Sequence, residues 1–220
     1  ISLSGIKHVR GVLLYGPPST GKSLIANKIG SMVNASSIKR VSGPEILDKA
    51  EKDQKKSVFD TTSKAAHMNF RNGAQFGLHV IIFDELDAIC RKRGVGPDGG
   101  SVNDFIVNQL LSKMEGLEQL HNVLVIGTTN RKDMIDEALL RPGRFEVHMK
   151  INVPDETGRL QIFEIHTAKM RRPRTIPVCS YLQTNTKENK INHTSGAEIE
   201  GLVREVQSLA MDRLTQKDGK

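Results

Sequence analysis

Short, nearly continuous apolar runs punctuate a polar chain: Gly11-Val12-Leu13-Leu14-Tyr15, His79-Val80-Ile81-Ile82-Phe83 and Val123-Leu124-Val125-Ile126, with the mixed segment Ile38-Lys39-Arg40-Val41 as a second strand in chain order. Runs of this length, rich in β-branched residues, read as strands buried in a parallel sheet. A further strand is expected from Phe145 to Val153, stopped by Pro154. Between the strands the apolar spacing becomes helical. Leu24, Ile25, Ile29, Met32 and Val33 follow the first run, and Phe105, Ile106, Leu110, Leu111 and Met114 form one side of a helix over 102–114. Ile135 to Phe145 reads as a helix halted by Pro142 and Gly143. A polar stretch, 48–74, holds a weaker helical pattern over 57–69.

From Asp155 the alternation of strand and helix ceases. Glu156 to Lys169 reads as a helix with Leu160, Ile162, Phe163 and Ile165 inward. Residues 171–193 are polar and irregular, with a short helix near Tyr181. Thr194-Ser195-Gly196-Ala197-Glu198 reads as the cap of a last helix running to about Leu214, with Ile199, Leu202, Val203, Val206, Leu209 and Ala210 inward. The expected division is an α/β core over 1–154 and a helical unit over 155–220.

Composition narrows the partners. The net charge of +7 sits in short basic clusters without interleaved aromatics, which reads as solvated faces, so nucleic acid is not the expected partner. Cys90 and Cys179 provide no disulfide framework, as expected of a reducing compartment. The seven histidines lack metal-ligand spacing. No apolar run reaches membrane-spanning length and no signal peptide is visible. The chain begins at Ile1, close to the first strand, and reads as a fragment of a longer protein.

The chemistry gathers where strands end. Gly16-Pro17-Pro18-Ser19-Thr20-Gly21-Lys22-Ser23, followed by Leu24, lies between a strand and a helix, the context a phosphate-binding loop requires. Glycines let successive N–H groups curl around phosphate oxygens at the positive end of the helix. Lys22 would reach the β- and γ-phosphates, and the Ser23 hydroxyl would ligate Mg²⁺. The third run ends in Asp84-Glu85. Asp84 would hold the Mg²⁺ shell and Glu85 would polarise the attacking water. An ordinary helix start also favours acids there. Asn130, closing the strand expected over 123–130, would orient water against the γ-phosphate, or else be a simple strand-ending asparagine.

These motifs, with Leu140-Arg141-Pro142-Gly143-Arg144-Phe145, resemble an AAA+ ATPase of the AAA subgroup. The resemblance implies a P-loop sheet sandwiched by helices, followed by a small helical lid, with ATP and Mg²⁺ as cofactors and Mg-dependent ATP hydrolysis as the activity. It implies that Arg141 and Arg144 reach the nucleotide of a neighbouring subunit, where a guanidinium fork pairs with phosphate. Gly43-Pro44-Glu45-Ile46-Leu47, Val107-Asn108-Gln109-Leu110-Leu111-Ser112-Lys113 and Ile165-His166-Thr167-Ala168 are most similar to the vesicle-fusing, NSF-type branch, in the first of its two ATPase domains. For that branch His166, Gly196 and Ala197 would contact ribose and adenine. The implied assembly is a homo-hexamer that disassembles SNARE complexes through SNAP-type adaptors in vesicle fusion and ER-Golgi transport. It would be cytoplasmic, peripheral to vesicle and Golgi membranes, and reach membranes only through its substrates.

Three positions depart from the pattern. Ala50-Glu51-Lys52 stands where the branch carries an aromatic substrate grip. Ser19 replaces the usual glycine, a strained choice if that position needs positive φ. Thr20 stands where some relatives carry a reactive cysteine. Two other readings remain open at this point: a protein unfoldase of the same subgroup, and a nucleotide-holding ring module with weak turnover.

Overall fold

The computed structural model describes residues 9–45, 77–92, 101–116, 122–168 and 194–218. The helix expected over 57–69, the altered segment at 50–52, Cys179 and the irregular stretch 171–193 lie outside the described residues. The chain falls into two compact units, Ile1–Gly16 with Lys22–Ile151, and Pro17–Gly21 with Asn152–Lys220.

In the first unit, β1 (Gly11–Tyr15), β2 (Ser37–Ser42), β3 (His79–Asp84), β4 (Val123–Thr129) and β5 (Phe145–Lys150) form one sheet in the order β2-β3-β4-β1-β5. Every pairing is parallel. Side chains of a strand alternate between faces, and both faces of this sheet are apolar. Leu13, Ile81, Phe83, Val123 and Val125 join one buried cluster, whereas their neighbours Leu14, Val80, Ile82 and Ile126 join another. The first cluster is completed by helices α2 (Leu86–Ile89) and α3 (Ser101–Gly116) through Leu86, Ile89, Ile106, Val107, Leu110 and Met114. The second is completed by α1 (Lys22–Met32) through Ala26, with Ile25 and Ile29 against it.

Two helical faces differ from the apolar spacing. In α1 the buried positions are Lys22, Ala26 and Gly30, one row at four-residue intervals, while Leu24 is 70% exposed. Leu24 sits two residues, about 200° of helix, from that row. In α3 Phe105 is 54% exposed, one residue off the row Ile106, Leu110 and Met114. The segment expected as a helix over 135–145 is instead extended and 3₁₀. Ile135 pairs with Arg91 in a β-bridge, and two short 3₁₀ turns occupy Lys132–Met134 and Glu137–Leu140. The Asp136 carboxylate accepts the Ala138 N–H at 2.8 Å, a local alternative to helical pairing, and Pro142 follows too soon for a longer helix. The strand expected to reach Val153 ends as β5 at Lys150.

The second unit contains α4 (Glu156–Thr167) and α5 (Gly196–Asp218), packed through Phe163, Ile199 and Val203, with Ile162 against them. Both starts are capped by side chains. Asp155 accepts the Gly158 N–H at 2.8 Å. Ser195 and Glu198 form a reciprocal capping box, in which Glu198 Oε2 accepts the Ser195 N–H at 2.6 Å while the Glu198 N–H reaches Ser195 Oγ at 3.4 Å. Ile165, expected inward, is 69% exposed because it lies two residues round the helix from Phe163.

Candidate active site

The parallel register brings the ends of β1, β3 and β4 to one edge: Tyr15 pairs with Thr129, and Phe83 with Gly127. Ligands of open α/β sheets bind outside this carboxyl edge. Directly after β1, Gly16 has φ 152°, and a methyl group there would lie 2.0 Å from the Ile151 carbonyl oxygen. Only glycine fits so close to another backbone. Ser19, at φ 60°, does hold the left-handed conformation that favours glycine, as does Gly21 at 87°. Thr20 Oγ1 donates to the Pro17 carbonyl at 2.9 Å and stiffens the turn. Pro17 and Pro18 are exposed.

Lys22 opens α1, is only 6% exposed, and donates from Nζ to the Gly16 carbonyl at 3.1 Å. Burial lowers its pKa from the ordinary lysine value, opposed by the attraction of Asp84 and Asp87. The Ser23 hydroxyl, on the next residue, donates to Asp84 Oδ1 at 2.8 Å. A phosphate loop and a strand-end carboxylate distant in sequence thus meet through one hydrogen bond.

β3 stops at Asp84, and Glu85 turns the chain with φ 56° as the residue leading into α2. Its side chain is exposed at the edge. A methyl on Gly43 would lie 2.5 Å from the Glu85 carbonyl oxygen, so the chain leaving β2 presses against this turn. Two threonines that the sequence reading passed over end β4. Thr128 Oγ1 donates to Asp84 Oδ1, and the Glu85 N–H approaches Thr128 Oγ1 at 3.4 Å. Thr129 Oγ1 donates to Asp87 Oδ1 at 2.9 Å and accepts the Arg131 N–H at 3.0 Å, fixing the turn that carries exposed Asn130. The signal available in the sequence was the pair of hydroxyls one strand away from Asp84.

Arg141 is exposed beyond the second 3₁₀ turn. Arg144 is held within its own chain, paired with Glu115 and donating to the Ala138 carbonyl. Cys90 is buried, and desolvation, reinforced by the charge of Asp136, pushes its thiol pKa far up, so this cysteine is inert. In the second unit His166 is half-buried on α4, Gly196 begins α5 and Ala197 is exposed beside it. A methyl on Gly196 would lie 3.6 Å from the Ser19 carbonyl oxygen.

A hydroxyl and a carboxylate, both hard oxygen donors, suit Mg²⁺ brought in with phosphates. Among the described residues no group of three or more His, Cys, Asp or Glu could form a self-sufficient metal cage. The donors therefore fit a cation shared with a nucleotide. No described helix is long and apolar enough to cross a membrane.

A five-stranded parallel sheet with a glycine-bearing loop, an invading lysine and a Ser–Asp pair at its carboxyl edge defines a P-loop nucleotide-binding protein. The model of the ATPase family associated with various cellular activities (AAA) matches residues 12–153, and the chain belongs to this family. It is 56% identical over 216 residues to a vesicle-fusing ATPase of Caenorhabditis elegans, covering 98% of this chain and 26% of the relative. It is 52% identical over 209 residues to the vesicular-fusion protein sec18 of Schizosaccharomyces pombe, covering 95% and 26%. Identity to a cell division cycle protein 48 homolog of Archaeoglobus fulgidus is 41% over 211 residues, covering 96% and 27%. The chain spans about a quarter of the length of these relatives.

Proposed function

We propose that this chain is the first ATPase domain of a vesicle-fusing ATPase, one subunit of a homo-hexamer that hydrolyses Mg-ATP to disassemble SNARE complexes held by SNAP-type adaptors. Its place of work would be the cytoplasmic side of vesicle and Golgi membranes. The observation that carries the reading is the 2.8 Å hydrogen bond from Ser23 to Asp84, which joins the loop at 16–23 to the carboxylate at the end of β3.

In this reading the N–H groups of the loop and the first turn of α1 receive the phosphates, and Lys22 neutralises the β- and γ-oxygens. Ser23 and Asp84 would hold magnesium, which would supply charge neutralisation. Glu85 draws the proton of the attacking water, and Asn130 orients that water. Arg141 and Arg144 serve the nucleotide of the adjoining subunit, for which Arg144 exchanges Glu115 for phosphate oxygens. The second unit acts as the lid, with His166, Gly196 and Ala197 on ribose and adenine.

The higher identity to the two vesicle-fusion proteins than to the cell division cycle protein favours this branch over a general unfoldase. Capture by SNAP-type adaptors, against ubiquitin-linked substrates, separates the two. Glu85→Gln in the assembled full-length protein is expected to keep ATP binding and to lower turnover by about 100-fold or more. Unchanged turnover removes Glu85 from its role.

A further inference from the structure

We infer that Thr128 is a positioning residue for both carboxylates at the end of β3, Asp84 and Glu85, and this inference rests on the ATP-site reading. A threonine hydroxyl has one hydrogen to give and lone pairs to receive with. An ionised carboxylate accepts only, so the hydrogen goes to Asp84 Oδ1. The lone pairs then face the Glu85 N–H at 3.4 Å. One buried hydroxyl thus sets the rotation of the Asp84 side chain and the orientation of the following peptide.

Three further observations support the assignment. Thr128 is 2% exposed, where a hydroxyl left unpaired would be costly. The β3–β4 register, with Phe83 opposite Gly127, carries Thr128 alongside Asp84 one step later. Glu85 occupies the left-handed conformation, unfavourable for a residue with a side chain, and such a turn needs its backbone held. Ser23 donates to the same Oδ1 from α1, so Asp84 is steadied independently from two elements. The hydroxyl on β4 keeps the carboxylate aimed whatever the Ser23 oxygen does.

The test compares Thr128→Val, which keeps the shape and removes the hydroxyl, with Thr128→Ser, which restores it. In the full-length protein, a fluorescent ATP analogue is titrated with Mg²⁺ and with EDTA, and thermal midpoints are recorded without nucleotide. The wild type is expected to bind more tightly with Mg²⁺. Thr128→Val is expected to lose about tenfold of that tightening and Thr128→Ser to regain most of it. The Mg²⁺ concentration for half-maximal turnover should rise in parallel. If Thr128→Val does not fold, Thr128→Ala takes its place. Wild-type-like tightening in the hydroxyl-free variant, even with a lowered thermal midpoint, overturns the positioning role alone, as does failure of Thr128→Ser to restore it. Absence of any Mg²⁺ effect in the wild type overturns the ATP-site reading and this inference with it.

Discussion

The sheet unit and the helical unit hold themselves together by different means. The sheet buries apolar side chains on both faces, and Leu13, Ile82, Ile126 and Phe145 are sealed from solvent. Among the described residues the helical unit is held by Phe163, Ile199 and Val203 and by side-chain caps at Asp155 and at Ser195 and Glu198. A sheet buried on both faces resists local opening, whereas helix ends held by caps open at lower free energy. Two units of one chain thus draw their order from different sources, one from a doubly buried sheet and the other from helix packing and caps.

The strongest blow to the comparison is Gly16→Ala. Its methyl meets a backbone oxygen that cannot step aside, so the sheet unit is expected to lose more than about 4 kcal/mol in denaturant titration. Loss below about 1 kcal/mol would show that the junction of β1 and β5 yields, contrary to its packing. A finer cut sets Phe145→Ala against Phe163→Ala. The first is expected to cost about 3–5 kcal/mol and to lower hydrogen-exchange protection throughout β1, β4 and β5. The second is expected to strip protection from α4 and α5 while the β3 and β4 amides keep theirs. If both variants lower protection everywhere, the two units unfold as one.

The smallest effect is that of pH. The Gly158 N–H first and the Thr157 side chain second hold the Asp155 carboxyl below its usual range. The Ser195 N–H first and its hydroxyl second do so for Glu198. A folded pKa below the unfolded value means stabilisation that is present in full above the ordinary carboxylate range. It fades as pH falls through that range and is gone below the depressed values. NMR signals of α4 and α5 are therefore expected to weaken as pH drops from about 5 toward 2, with Glu198→Gln flattening the dependence at α5.

Local features of the sequence were legible because their cause is local. The loop at 16–23, the strands ending at Asp84 and Thr129, and the cap of α5 each depend on residues close in the chain. What escaped depends on distant partners or on small residues. Thr128 gains its meaning from Asp84, and Arg144 from Glu115. The buried row of α1 is made of Lys22, Ala26 and Gly30, so counting large apolar side chains selected exposed Leu24 and Met32 along with Ile25 and Ile29, which do pack on the sheet. The helix expected over 135–145 had suitable spacing, yet the Asp136 carboxylate diverts its backbone and the bridge to Arg91 extends it. Residue spacing describes which faces exist; neighbours decide which are used.

Ser19, held at φ 60°, gives the turn at 17–21 a shape that serine does not favour. A serine left to itself would abandon that conformation at a gain of about 1–2 kcal/mol. The turn at Ser19 is therefore held under backbone strain. Exchange of that one residue for glycine would release the strain, which gives selection a way to adjust the turn without changing any neighbouring side chain.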